Sequence, residues 1–372
     1  MIIISISLFG CGNVANKSNS SKQTTKQERN KEEAKKIEFP KLEKGEVFYK
    51  NKKPFGEIIP LKGRHIEGDT SIYKFCEPEF TVKGKYLFVQ SLSIAPILVF
   101  SYPQLRLLKK VGKFGRGPKE FDFPAYVNSP DTSIYGYLLA SRIKTLFKLK
   151  KDFSLEKELK PFDVLKGNSN IRFSNAKEIY NVGKEDFVYV SRSKTGKSIY
   201  NLSTEKGKSI NKEIINLGLN PKRRSSFSYI GSFGVNAKKR RMVYAYKYFK
   251  IVKFFDMDTH EIKTINFERE TFKENSVYKV DGLDANVTHY WKISTSDKYV
   301  YLLYSGRTPV QVGREMMKHK CYIYVEKYDW NGNPISKYKL DRWGYFFADP
   351  NDNKIILCSA DEDEPFFEYI LP

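Results

Sequence analysis

The chain of 372 residues is poor in the side chains that build metal and redox centres, with four cysteines and four histidines. His65, His260, His289 and His319 are widely scattered, and Cys11, Cys76, Cys321 and Cys358 match no metal-ligand spacing. No metal site, redox pair or other cofactor is therefore expected. Once Cys11 is set apart, the odd number left cannot all pair within the chain. Long apolar runs are missing too. The N-terminal run from Met1 to Gly10 falls well short of the roughly 20 residues that a spanning helix needs. No helical period longer than two turns stands out, which argues against an α or α/β fold. Acid is the scarcer charge, with 43 Asp and Glu against 65 Lys and Arg, for a net charge of +22.

What the N-terminus does have is a short apolar segment ending in Leu8-Phe9-Gly10-Cys11 and followed by polar residues. It resembles a bacterial lipoprotein signal with its lipobox. Gly10 supplies the small residue a signal peptidase needs, and the Cys11 thiol is the nucleophile that accepts lipid. On that reading residues 1–10 are a removable signal segment and Cys11 is the lipidation site. Residues 11–40 form a flexible tether, rich in Asn, Ser, Lys, Gln and Thr with no aromatic before Phe39. The mature protein is then expected in the bacterial cell envelope, lipid-anchored, on a periplasmic or cell-surface face.

The tether explains little of the charge. Between residues 11 and 38, seven basic residues oppose four acidic ones, a net of +3. The part expected to fold is therefore basic. Nucleic acid is the usual partner of such a charge, but an exported protein rarely meets it. Envelope proteins, acidic lipid headgroups or glycans fit better, and a lysine-rich soluble surface remains the plain alternative.

Aromatic residues, 15% of the chain, suit a sheet protein. Runs rich in Tyr, Val, Ile and Leu recur near Lys85, Thr132, Asp186, Arg241, Lys298 and Lys354, each after a polar turn. Their spacing of about 45 to 57 residues suits four-stranded repeat units. Cys321 to Glu326, then Asp329-Trp330-Asn331-Gly332-Asn333, then Ile335 to Leu340 reads as a hairpin, since Asn-Gly favours a tight reversal. Lys250 to Phe255 and Glu261 to Phe267 repeat the plan. The expected fold is all-β: a six-bladed β-propeller of four-stranded antiparallel blades over residues 41–372. The run Phe366 to Pro372 reads as the third strand of the last blade. An N-terminal strand is expected to close the ring there, and Gly56 to Leu61 is the segment assigned to it.

With these units in view, the chain resembles the TolB-like six-bladed β-propeller lipoproteins of Gram-negative bacteria. The segment Val111-Gly112-Lys113-Phe114-Gly115-Arg116-Gly117-Pro118-Lys119-Glu120-Phe121-Asp122-Phe123-Pro124 is similar to that family's glycine-rich GxGPxEF connection between blades. Ser294 to Gly306 and Asp329 to Pro334 add weaker matches. The resemblance implies a fold and an envelope location and brings no catalytic set. Physically, Gly112, Gly115 and Gly117 permit positive φ and close approach, while Phe121 and Phe123 are placed to wedge between sheets. The spacing matches neither a P-loop nor a dinucleotide fingerprint.

Catalytic propellers place acids or histidines at the channel mouth. Here the segments expected to line the channel carry Phe80, Tyr126, Tyr180, Phe233, Tyr290 with Trp291, and Tyr345 with Phe346. These aromatics either form a recognition ring for sugars or peptides or pack between blades. His289 is the best lone acid–base candidate and has no visible partner. Asp361 to Glu364 reads as a solvated acidic turn rather than a calcium site. Arg223-Arg224 and Lys238 to Arg241 are the basic clusters where an anionic partner would dock. The expected function is non-catalytic binding or protein interaction, with no catalytic residues. The alternative is a hydrolase or lyase acting on polysaccharide in the channel.

Overall fold

A computed structural model describes residues 44–49, 53–68, 77–90, 94–117, 120–122, 124–140, 145–158, 178–267 and 286–372. The signal segment, Cys11, the tether, Cys76 and Phe123 lie outside the described residues. Three N-terminal strands come first: β1 (Glu46–Phe48), β2 (Ile58–Leu61) and β3 (Arg64–His65). The first blade is β4 (Glu79–Lys83), β5 (Tyr86–Gln90), β6 (Ile97–Ser101) and β7 (Leu107–Val111). The second is β8 (Pro124–Val127), β9 (Gly136–Ala140), β10 (Thr145–Leu149) and β11 (Leu155–Glu158). The third is β12 (Ile179–Asn181), β13 (Phe187–Ser193), β14 (Gly196–Glu205) and β15 (Lys208–Asn216). The fourth is β16 (Gly231–Asn236), β17 (Arg241–Tyr246), β18 (Ile251–Asp256) and β19 (Ile262–Asn266). In the fifth, β20 (Thr288–Thr295) and β21 (Tyr299–Arg307) are followed by a short helix, α1 (Pro309–Met316), then β22 (Ile323–Asp329) and β23 (Pro334–Leu340). The sixth has β24 (Gly344–Ala348), β25 (Lys354–Ser359) and β26 (Phe366–Ile370).

Each apolar run read from the sequence is the second strand of a blade, antiparallel to its neighbours and largely buried. Such strands are apolar on both sides because another blade covers each face. Six apolar clusters fill the six seams. One joins Leu87, Val89 and Leu98 of the first blade to Phe347, Ile356 and Phe366 of the sixth, so the ring is closed. Six sheets around a ring make a six-bladed β-propeller. Hairpin turns follow the expected chemistry. At Asn331-Gly332, Gly332 takes φ 73° and any Cβ there would meet the Phe254 ring. Thr308 caps α1 by accepting from the Gln311 amide, and the Gln311 side chain accepts from the Thr308 amide in return.

Closure differs from the expected assignment. Ile58–Leu61 does not join the last blade; β2 lies parallel to β23 as a fifth strand on the fifth blade. The strand that completes the sixth blade is Arg64–His65, antiparallel to β26. The physical reason is position along the rim. Both strands run in the sense of a fourth strand, but Ile58–Leu61 lies against β23, one blade short of the closing seam, and the chain reaches β26 only after Lys62-Gly63. Gly63 fits there because the Tyr369 ring occupies the space of a side chain. One blade earlier, β1 lies parallel to β19 as a fifth strand on the fourth blade. The N-terminal segment is thus a belt along the rims of blades four, five and six.

The glycine-rich connection is a structural turn. Gly112 and Gly115 take φ of 79° and 151°, whereas Gly117 keeps an ordinary φ. The Glu120 carboxylate folds into the space beside Gly115, accepts from the Gly117 amide at 3.1 Å and pairs with Lys113 at 2.9 Å. Phe121 is buried between blades one and two, edge-on to Phe147 at 5.1 Å.

Candidate functional site

The six inner strands, β4, β8, β12, β16, β20 and β24, surround a central channel. Where they turn into the second strands the channel opens as a cup of about 500 Å³. Every blade contributes to its wall, through Thr81, Ser129, Asn181, Asn236, Thr295 and Ala348 in turn. Ser, Thr and Asn at the inner-strand ends give the lining its hydroxyls and amides, beside apolar residues and the charged Glu79, Lys238 and Asp297.

Many of these polar groups clamp one blade to the next. The Gln90 side chain donates to the Pro124 carbonyl and accepts from the Tyr126 amide, each at 2.8 Å. Ser129 donates to Asn181 Oδ1 at 2.7 Å, and Asn236 to the Asp297 carbonyl at 3.3 Å. The Ala348 amide donates to Ser294 at 2.9 Å, and Tyr102 donates to Asp349 across the closing seam. A ring held by such short-range bonds keeps the cup wall in place without a bound ligand.

Charges lead away from the cup wall, beginning with Glu79. Lys292 of the fifth blade pairs with Glu79 of the first, reaching past the sixth. The pairing of β20 with β21 shifts register on either side of Tyr290, and such bulges re-aim side chains. Glu178, just ahead of β12, is buried and pairs with the buried Lys197 at 3.0 Å. Burial raises the Glu178 pKa, while Lys197 and then Lys292 pull it down. Two acids and two lysines thus form an alternating chain that starts at the cup wall with Glu79. Tyr180 is held un-ionised well above its ordinary range, by burial first and then by the charges of Glu79 and Glu178.

The eight aromatic candidates separate. Phe80, Tyr126 and Tyr180 border the cup, and each ring packs on another aromatic ring. Phe80 packs on Phe347 at 5.1 Å, and Tyr126 stacks on Phe88 at 5.5 Å while donating to the Tyr135 carbonyl. The Tyr180 hydroxyl donates to the Phe233 carbonyl at 2.9 Å, with the Phe233 ring buried beside it at 5.5 Å. Tyr290 is buried between blades four and five and donates to Glu326 at 3.1 Å. Trp291 and Tyr345 each pack edge-on to Trp343, at 5.6 Å from it. Phe346 is buried between blades five and six.

The remaining sequence candidates are also placed. His289 is buried against Tyr304; burial first, and then Lys250, lower its pKa to about 3. In the acidic turn Asp361 accepts from Ser359 at 2.7 Å, Glu362 pairs with Arg342 at 3.3 Å and Glu364 with His65 at 3.0 Å. Among the described residues no group of three His, Cys, Asp or Glu is placed to hold a metal ion. Cys321 donates to Asp361, and burial together with that bond raises its thiol pKa to about 12, far from a reactive thiolate. Arg241 pairs with Asp256, Arg240 with Asp258, and Lys238 with Asp297 at the rim of the cup. Sequence reading did not find Glu79, Glu178, Lys197 or Lys292. The available signal was a lone charge beside apolar inner-strand residues, as in Glu178-Ile179-Tyr180 and Tyr290-Trp291-Lys292.

Comparison with known proteins agrees with this geometry. A member of the DUF4221 family from Bacteroides vulgatus is similar in structure, with a TM-score of 0.53 at 14% identity, covering 83% of this chain and 95% of that one. A protein from Bacteroides fragilis described as exported gives 0.49 at 10% identity, covering 88% of this chain and 100% of that one. A calcium-binding regucalcin from Agrobacterium tumefaciens gives 0.46 at 13% identity, over 84% and 94%. No curated protein matches the chain. The model of the TolB-like 6-blade propeller-like family matches residues 95–348, and the chain belongs to that family.

Proposed function

We propose that this protein is an exported, lipid-anchored binding protein without catalytic activity, whose ligand site is the cup at the channel mouth. The observation that carries this reading is the wall itself. Hydroxyl and amide side chains from five blades, with Ala348 of the sixth completing the wall, converge on a cavity of about 500 Å³, a volume suited to a few sugar rings or a short peptide turn. Glu79, partly exposed in the cup wall, and the buried Glu178 are each engaged by a lysine, an arrangement that favours a fixed electrostatic wall over proton transfer. A neutral, hydroxyl-rich ligand such as a glycan segment matches that lining best. The anchor rests on Leu8 to Cys11, and an envelope location follows from it.

Calorimetric titration of envelope glycan fragments tests the site. Thr81→Tyr, which fills the cup from one wall, should weaken binding at least tenfold while leaving the melting temperature within a few degrees. Equal affinity in this variant would remove the cup from consideration, and turnover of any glycan would replace binding with catalysis. For the anchor, Cys11→Ala should shift the protein from the membrane to the soluble fraction.

A further inference from the structure

The rim of the propeller shows how this fold accepts an extra strand. On blades four and five the fourth strands, β19 and β23, each take a parallel fifth strand supplied by the belt. On blades one to three the fourth strands β7, β11 and β15 have no such neighbour among the described residues. Two of these three are blunted. β7 has five residues with Lys109 and Lys110 at its centre, and β11 is the four-residue Leu-Glu-Lys-Glu. Short length and charge are the usual protection of a free edge.

β15 is different. It runs for nine residues, Lys208 to Asn216, longer than either edge that already carries a fifth strand. Lys208, Ile210 and Lys212 lie opposite Glu205, Ser203 and Asn201 of β14 and therefore share one face. All three are exposed, Ile210 at 38%. Lys208 and Lys212 make no ion pair among the described residues, unlike the paired Arg240 and Arg241 of the next blade. The edge therefore offers a cation, an apolar side chain and a second cation in register, above a strand backbone that has no fifth-strand partner among the described residues.

We propose that the outer edge of blade three is a docking site for an extended segment of a partner protein, added as a fifth strand. The segment alternates acidic and apolar residues: a carboxylate opposite Lys208, an aliphatic residue opposite Ile210 and a carboxylate opposite Lys212. Main-chain hydrogen bonds supply affinity and the alternating side chains supply selectivity. A second copy of this chain is a poorer occupant. Two-fold antiparallel pairing of β15 centred on Ile210 sets Lys208 directly opposite Lys212 of the other copy, twice, and like charges so placed repel. The proposal is independent of the cup.

The test uses the full chain and a capped peptide with the core Glu-Thr-Val-Thr-Glu flanked by threonines, read by amide hydrogen exchange. Protection should appear in β15 and nowhere else on the rim. The double variant Lys208→Glu, Lys212→Glu should bind about tenfold more weakly. A peptide with lysines in place of the glutamates should bind that variant and not the wild type. Both sites are exposed, so the variant should keep its melting temperature. Absence of β15 protection at millimolar peptide, or equal binding by the charge-reversed variant, overturns the proposal. Protection of β15 that grows with protein concentration without peptide also overturns it, in favour of a second copy.

Discussion

Blades four to six carry the chain's own N-terminal strands along their outer edges, whereas blades one to three end at β7, β11 and β15. The seams beneath the two halves differ in kind. Between blades one and two, Tyr86, Phe88, Tyr126, Tyr135 and Phe153 form a pile of rings whose centroids lie 5.1 to 6.5 Å apart. Between blades four and five the core holds charge. Glu326 is fully buried, accepts from Tyr290 and Tyr328 at 3.1 Å each, and pairs with Lys337 at 2.8 Å. Phe55, between the two belt strands, covers this network edge-on to Tyr328 at 5.2 Å and stacks on Phe267 at 6.1 Å. The belted seam keeps water away from its buried charge with an outer layer, while the seam between blades one and two is filled by aromatic rings that need no such cover.

Removing the belt should give the largest effect. A chain beginning at Glu67 loses β1, β2 and β3, and with them the half-buried Tyr49, Phe55, Ile59, Leu61 and Ile66. At about 1 kcal/mol for each half-buried side chain, the loss is about 5 kcal/mol, and β26 is left with an open edge. Denaturant unfolding should register that loss. Hydrogen exchange should place it in blades four to six, with blades one and two still protected. Uniform loss of protection would mean that the halves are not separable. The matching change in the bare half is Phe88→Ala, at a residue 1% exposed. It should cost about 4 kcal/mol, since deleting a buried phenylalanine leaves a cavity that stiff neighbouring rings cannot fill. Its exchange signature should fall on blades one and two instead.

The contrast also shows what could be read in advance. Six blades were legible because second strands are covered on both faces and appear as apolar runs such as Tyr86 to Gln90 and Tyr299 to Arg307. The last blade's deficit of one strand was legible for the same reason. Which N-terminal segment filled it was not. Ile58-Ile59-Pro60-Leu61 and Arg64-His65 lie three residues apart, and the blade that each one reaches, which decides between them, leaves no mark on composition. Belt strands of three and four residues carry too few side chains to show a period. In the cup, aromatics on the inner strands were found, but whether a ring faces the channel or the seam depends on pleat parity and on bulges such as those flanking Tyr290. The ion pairs of Glu79 and Glu178 join residues that only ring closure and blade folding bring together.

A smaller effect belongs to acidity in the belted half. His289 has its pKa lowered to about 3 in the folded protein, by burial and then by Lys250, from an ordinary 6.5. The unfolded chain therefore binds the proton first, so the stability is complete above pH 6.5 and declines as pH falls toward 3. Between pH 6.5 and 5 the loss from this one group is about 1.5 kcal/mol. Denaturant unfolding of His289→Leu at both pH values should show that slope removed. A slope unchanged by the substitution would place the titrating group elsewhere.

The smallest effect separates the closing seam from the rest of the belt. Burial of Glu368 works against its charge, but bonds from Arg64 and Lys354 outweigh burial and hold its carboxyl below the ordinary 4.5. For a depressed acid the sign is fixed: its contribution is complete above pH 4.5 and is lost as pH falls through the folded value. Acid should therefore loosen blade six in a window that opens near pH 4.5, lower than the pH 6.5 at which the His289 effect begins. Glu368→Gln should move the acid midpoint of β26 and β3 amide protection toward that of the apolar seams, with little change at pH 7 beyond the lost pairing. Because Arg64 is mostly exposed, Arg64→Met should reproduce only part of the shift, and Lys354→Met, whose side chain is 19% exposed, should reproduce more. If Arg64 proves the stronger of the two, the closing strand is held by its surface charge more than by its backbone. The belt would then be a clasp that salt can open, rather than a fixed part of the sheet.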